Sequence, residues 1–82
     1  MNDLKSTIIE VFTGLGKDGV TDEMESIVAA GLLDSLSILE LVNALEDRFE
    51  IAFEEDDLTL QNFDNLTTIE RIVAARLKDS AQ

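Results

Sequence analysis

The 82-residue chain sets eighteen acidic residues against six basic ones, a net charge of −12, and has no histidine, cysteine, tyrosine, tryptophan or proline. That balance excludes a nucleic-acid partner, which needs clustered Lys and Arg, and the lack of cysteine excludes disulfides and thiolate metal sites. With four aromatic residues, all Phe, a single core must be packed mainly by aliphatic side chains.

The expectation is one domain over residues 1–82, all-α, a small four-helix bundle with a long first loop and a short third helix. No apolar stretch approaches the roughly 18 residues that cross a bilayer, and no apolar leader opens the chain, so a cytoplasmic monomer without a membrane span or a metal site is expected. Partners should present basic docking surfaces, with fast, salt-sensitive encounter.

Residues 3–15 predict the first helix. At about 100° per residue, Leu4, Ile8, Val11 and Leu15 share one face with Phe12 at its edge, and Gly14 and Gly16 break the pattern. Residues 17–34 hold Gly19, Gly31 and the cap formers Asp18, Thr21 and Asp22, with a short apolar patch from Ile27 to Ala30. They read as a long ordered loop with room for one helical turn. A loop of that length usually has a function, and this one delivers the chain to Ser35.

The second helix is expected from about Ser35 to Glu50. Asp34 is the natural N-cap, while a Ser37-x-x-Glu40 capping box competes with it and would start the helix slightly later. Ile38, Val42, Leu45 and Phe49 lie within about 60° of one another and form the stripe to be buried. Residues 51–58 make an acidic connector with Ile51, Phe53 and Leu58 as anchors. Thr59 can cap a one-turn helix holding Leu60 and Phe63. The last helix opens on a Thr67-x-x-Glu70 capping box, with Leu66, Ile69, Ile72, Val73 and Leu77 facing inward and Arg76 snorkelling from that face.

Two features of the second helix exceed what folding requires. Leu36 and Leu39 fall off the core stripe, beside Ser35, Glu40, Asn43, Glu46 and Asp47. Exposed leucines among carboxylates make an interface, with apolar anchors for affinity and charge for steering. The alternative packs Leu36 under the long loop and Leu39 at the core edge. Ser35, in turn, sits at a helix N-terminus, where free N–H groups favour a phosphodiester. With no histidine or cysteine in the chain it has no base of its own, so it reads as a point that another enzyme modifies, with Asp34 orienting it.

The run Gly31-Leu32-Leu33-Asp34-Ser35-Leu36, then Glu40-Leu41-Val42, Leu45-Glu46 and Phe49, resembles the second-helix signature of the acyl carrier protein family, and Asn62-Phe63-Asp64 followed by Ile69 is similar to that family's later helices. The resemblance spans about residues 26–77. It implies that Ser35 carries a covalent 4′-phosphopantetheine, with Asp34 and Leu36 beside the attachment point. A phosphopantetheinyl transferase and acyl-loading and acyl-processing enzymes would then meet the face of Leu36, Leu39, Glu40, Asn43, Glu46 and Asp47.

The implied role is a non-catalytic carrier of acyl thioesters in fatty acid or specialised acyl or polyketide synthesis. Ser37 departs from the acidic residue that often follows Asp-Ser-Leu, and the leucine pair after Gly31 is similar to D-alanyl carriers, so an aminoacyl carrier is the alternative. An unmodified protein-interaction bundle is a more distant one. A calcium site is disfavoured, because Glu54 to Asp57 lack the alternating ligands and central glycine of an EF-hand loop. Autonomous catalysis is disfavoured by the absence of His, Cys and Tyr.

Overall fold

The computed structural model describes residues 4–80 and is all-helical over that range, with no strand among the described residues. In chain order it comprises α1 (Leu4–Gly14), α2 (Ser37–Phe49), two 3₁₀ turns (Glu55–Asp57 and Leu60–Phe63) and α3 (Leu66–Ser80). The expected start of the first helix at residue 3 lies outside the described residues. The short third helix of the expected bundle is the second 3₁₀ turn, which leaves three α-helices. Thr59 starts that turn by accepting the Asn62 N–H on its hydroxyl, and Phe63 anchors it in the interior. The four residues of that turn are too few to propagate an α-helix.

α1 packs against both α2 and α3, and the second 3₁₀ turn packs on α3. Ile8 and Phe12 from α1, Leu41 and Leu45 from α2, Phe63, and Leu66, Ile69 and Val73 from α3 are fully buried. Phe12 is therefore the centre of the α1 face rather than its edge. α2 buries Ile38, Leu41, Val42 and Leu45, and Phe49 stays half-buried. Leu41 lies on the flank of the expected stripe and is enclosed because packed neighbours reach round that side.

The long loop is anchored at Val20, Ile27 and Leu33, all buried. Of the Ile27 to Ala30 patch, only Ile27 is buried, and Ala29 and Ala30 face solvent. The expected helical turn is present. Ser26 Oγ accepts the Ala29 N–H, and the turn closes at Gly31 with φ +81, where Leu32 N–H reaches back to Ile27 C=O and Gly31 N–H to Val28 C=O. That pairing needs a left-handed residue, which glycine adopts without strain.

Two expectations near the end of the chain are corrected. Leu58, expected as an anchor, is 37% exposed, because the 3₁₀ turn before it leaves Ile51 buried and Phe53 packed edge-on against Phe63, with ring centroids 5.5 Å apart. The cap of α3 is formed two residues earlier than the Thr67–Glu70 box. Asn65 Oδ1 accepts the Thr68 N–H at 2.9 Å, while Thr68 Oγ1 accepts the Asn65 N–H at 3.3 Å. Leu66 must enter the core as the first helical residue, which fixes Asn65 as the cap. Arg76 does reach out from the inner face, and its guanidinium meets Glu54 at 3.3 Å and Asp57 at 3.5 Å.

Two outcomes test this architecture. Leu45→Asp should unfold the chain or nearly so, because a buried unpaired carboxylate costs several kcal/mol against a total of roughly 5–10; circular dichroism on heating reads the loss. Glu50 ends α2 in the left-handed region at φ 56, so Glu50→Gly should stabilise by about 0.5–1 kcal/mol, read as a higher denaturation midpoint at unchanged slope.

Candidate functional site

The N-terminus of α2 is built by Asp34. Its C=O accepts the Ile38 N–H at 2.9 Å, which closes one turn ahead of α2, and the continuous helix starts at Ser37, two residues later than the expected Ser35. Its Oδ1 accepts the N–H groups of Leu36 at 3.0 Å and Ser37 at 2.8 Å. Ser37 completes the box. Its hydroxyl accepts the Asp34 N–H at 2.9 Å and lies 3.0 Å from Asp34 Oδ1. Asp34 thus supplies the capping acceptor for the turn that leads into α2, and Ser37, the first residue of α2, is its reciprocal partner rather than the opener of a box with Glu40.

The bonds from Ser37, its backbone N–H first and its hydroxyl second, hold the Asp34 carboxyl below the ordinary aspartate value of 3.8, with smaller help from the Leu36 N–H and from Lys17. Ionised Asp34 is the better acceptor, which is why these donors lower its pKa.

Ser35 is exposed, and no hydrogen bond engages its hydroxyl among the described residues. Asp34 and Ser37 satisfy the N–H groups around it, which leaves the Ser35 oxygen free. Next to it Leu36 is 82% exposed and Leu39 57%, so Leu36 does not pack under the loop. Glu40, Asn43 and Asp47 continue the same face and are exposed. Glu46 is different. It is half-buried, and its Oε2 accepts the Phe53 N–H at 2.9 Å, tying the connector back onto α2. Glu46 lies on the flank of that face, within reach of the returning backbone.

One cluster had no counterpart in the expected site. Asp64, between the second 3₁₀ turn and α3, accepts the Ser26 hydroxyl at 2.7 Å and the Val28 N–H at 3.1 Å on its Oδ1, and the Ile27 N–H on its C=O at 2.6 Å. The only trace of this in the sequence is Ser26 three residues before Ala29, a turn-starting pattern that does not reveal a partner 38 residues away. Among the described residues no three carboxylates converge to hold a metal ion, and no helix is long and apolar enough to cross a membrane.

The Asp34 cap has a pH signature. Because its carboxyl is depressed, the bonds it accepts are fully present above the ordinary aspartate range and are lost as pH falls through its folded value. A carbon-detected NMR titration should place the Asp34 midpoint below 3.8, and Ser37→Ala should move it upward. A Ser37→Ala midpoint equal to that of the wild type would show that the hydroxyl takes no part.

The family model described as "Phosphopantetheine attachment site" matches residues 6–75. The chain is also similar to the D-alanyl carrier proteins of Streptococcus sanguinis, Streptococcus gordonii and Streptococcus thermophilus. It is 38% identical to each over 66 residues, which cover 73% of this chain and 84% of theirs. No solved structure matches at a significant level. With 70 consecutive positions inside the family model (residues 6–75), the chain belongs to the phosphopantetheine attachment-site family, carrier proteins that hold 4′-phosphopantetheine covalently on a serine.

Proposed function

We propose that Ser35 is the attachment serine and that the chain shuttles a short acyl or aminoacyl group between enzymes. Four serines lie within residues 6–75, namely Ser6, Ser26, Ser35 and Ser37. Ser26 is tied to Asp64, Ser37 to Asp34, and Ser6 has an interaction of its own on α1. Ser35 alone combines exposure, a hydroxyl free of hydrogen bonds and a helix N-terminus, and this is the observation that carries the assignment. The site suits the group: a phosphodiester beside Ser35 would face the positive end of α2. Bound there, the group supplies a thiol that holds cargo as a thioester, in a chain with no cysteine of its own.

The residues around Ser35 divide the work. Asp34 holds the backbone turn that carries the serine outward. The chain has no histidine or cysteine to take the serine proton, so the base belongs to the transferase. Leu36 and Leu39 provide apolar anchors, and Glu40, Asn43 and Asp47 meet the basic surfaces of the transferase and of loading and processing enzymes. Glu46, already bonded to Phe53 N–H, contributes mainly by holding the connector.

The small cargo is supported by the names of the relatives and by the packing. The core side chains Ile8, Phe12, Leu41, Leu45, Phe63 and Ile69 enclose one another completely. The groove beside α3, about 280 Å³, is lined by Asp57, Asn62, Thr68 and Arg71 as well as Ile72 and Ala75, a poor berth for a long alkyl chain. Carriage of fatty acyl or polyketide intermediates is the second reading, favoured by the acidic α2 face alone.

Incubation with coenzyme A, magnesium and a broad-specificity phosphopantetheinyl transferase should add the mass of one phosphopantetheine. Ser35→Ala should abolish the gain and leave the helical spectrum almost unchanged, since Asp34 still caps α2. Modification that persists in Ser35→Ala would move the site elsewhere. Leu36→Ala should slow modification without the core-type cost of about 3 kcal/mol, and a fall in stability of that size would count against the interface.

A further inference from the structure

The loop that leads to Ser35 is held by a contact that neither its own sequence nor α2 supplies. Asp64 offers two acceptors, its Oδ1 and its backbone C=O, to three donors on the far side of the chain: Ser26 Oγ, Ile27 N and Val28 N. These are the groups that open the 26–31 turn and would otherwise lack partners. Asn65 Nδ2 adds a longer bond to Glu25 C=O at 3.5 Å. The turn then closes at Gly31, and Ile27 and Leu33 bury their side chains on either side of it. Only residues 29–33 separate the latched Val28 from Asp34.

We propose that Asp64 is a positioning residue for the modification of Ser35. By holding residues 26–28 on the junction between the second 3₁₀ turn and α3, it keeps the loop in the conformation in which the transferase meets Ser35 and Leu36. This rests on the assignment of Ser35 above. Asp64 acts through the loop and touches neither the serine nor the incoming group. When the latch opens, Ile27 and Leu33 still attract the loop to the core, but the turn between them loses the acceptors that select one arrangement. The fraction of molecules ready for the transferase falls, and an enzyme that binds only the ready form sees a higher apparent KM with little change in kcat.

The test is the steady-state rate of phosphopantetheine transfer, followed by mass, on wild-type chain and on Asp64→Ala, Ser26→Ala and Asp64→Asn. Asp64→Ala should raise KM for the carrier about ten-fold, and Ser26→Ala, which removes one bond to Asp64 together with the acceptor of the Ala29 N–H, at least about three-fold, with kcat held within about two-fold. Asp64→Asn should behave like the wild type, because its amide oxygen accepts the same two donors.

Hydrogen exchange provides the second readout. The Ile27 and Val28 amides should exchange faster in Asp64→Ala, while that of Leu45 keeps its protection. An unchanged KM in both alanine variants would overturn the proposal. So would an Asn variant as impaired as Ala, since that would make the charge the cause. If Asp64→Ala fails to fold, Ser26→Ala and Asp64→Asn decide. A wild-type chain that gains no mass at Ser35 defeats the site assignment itself, whereas modified wild type with unchanged variants defeats only the role of Asp64.

Discussion

The start of a helix leaves backbone N–H groups that must find acceptors, and in this protein Asp34 takes them so that Ser35 does not have to. Everything distinctive about the site follows from that division. A serine used as its own cap would have its hydroxyl engaged with the backbone; here the cap stands one residue earlier and the serine oxygen is left facing solvent. Ser37 reinforces the arrangement from inside the helix by accepting the Asp34 N–H. The turn is closed in both directions while the Ser35 hydroxyl stays unengaged among the described residues.

The same device recurs along the chain. Glu54 with Asp57 and Asn65 with Thr68 make reciprocal pairs three residues apart, as Asp34 does with Ser37. At the other ends, Gly16, Gly31 and Glu50 adopt left-handed backbone, and the residue after each reaches back to an earlier carbonyl. A chain without proline therefore sets its element boundaries with side-chain acceptors at one end and left-handed residues at the other. Packing fills the space between those boundaries.

Charge is distributed with a similar economy. Lys5 pairs with Asp22 at 3.0 Å, Arg48 with Glu10 at 3.2 Å, and Arg76 with Glu54 and Asp57. The exposed Arg48–Glu10 pair adds little stability, the Arg76–Asp57 pair is largely covered, and all of them decide where positive charge is placed. Half of the six basic residues face acids across elements, and Glu40 and Asp47 on the outer face of α2 are not among those acids. Among the described residues, the carboxylates of Glu40 and Asp47 are thus left without an ion pair on the exposed face that carries Leu36 and Leu39.

The helical periodicity, the approximate position of α2, Asp34 as the acceptor at its start and the outward placement of Ser35, Leu36 and Leu39 were legible in the residues alone. These depend on residues within a turn or two of one another, and local spacing encodes them. Elsewhere a plausible local signal was overridden by packing. The Thr67–Glu70 box yielded to Asn65 and Thr68 because Leu66 had to enter the core, and Leu58 turned outward because Ile51 and Phe53 already filled the space beneath. The bond from Phe53 N–H to Glu46, the reach of Arg76 to Glu54 and Asp57, and the hold of Asp64 on Ser26 across 38 residues came from the packed fold. A side chain's partner at that separation is set by which surfaces the core brings together, and no pattern local to either residue contains that information.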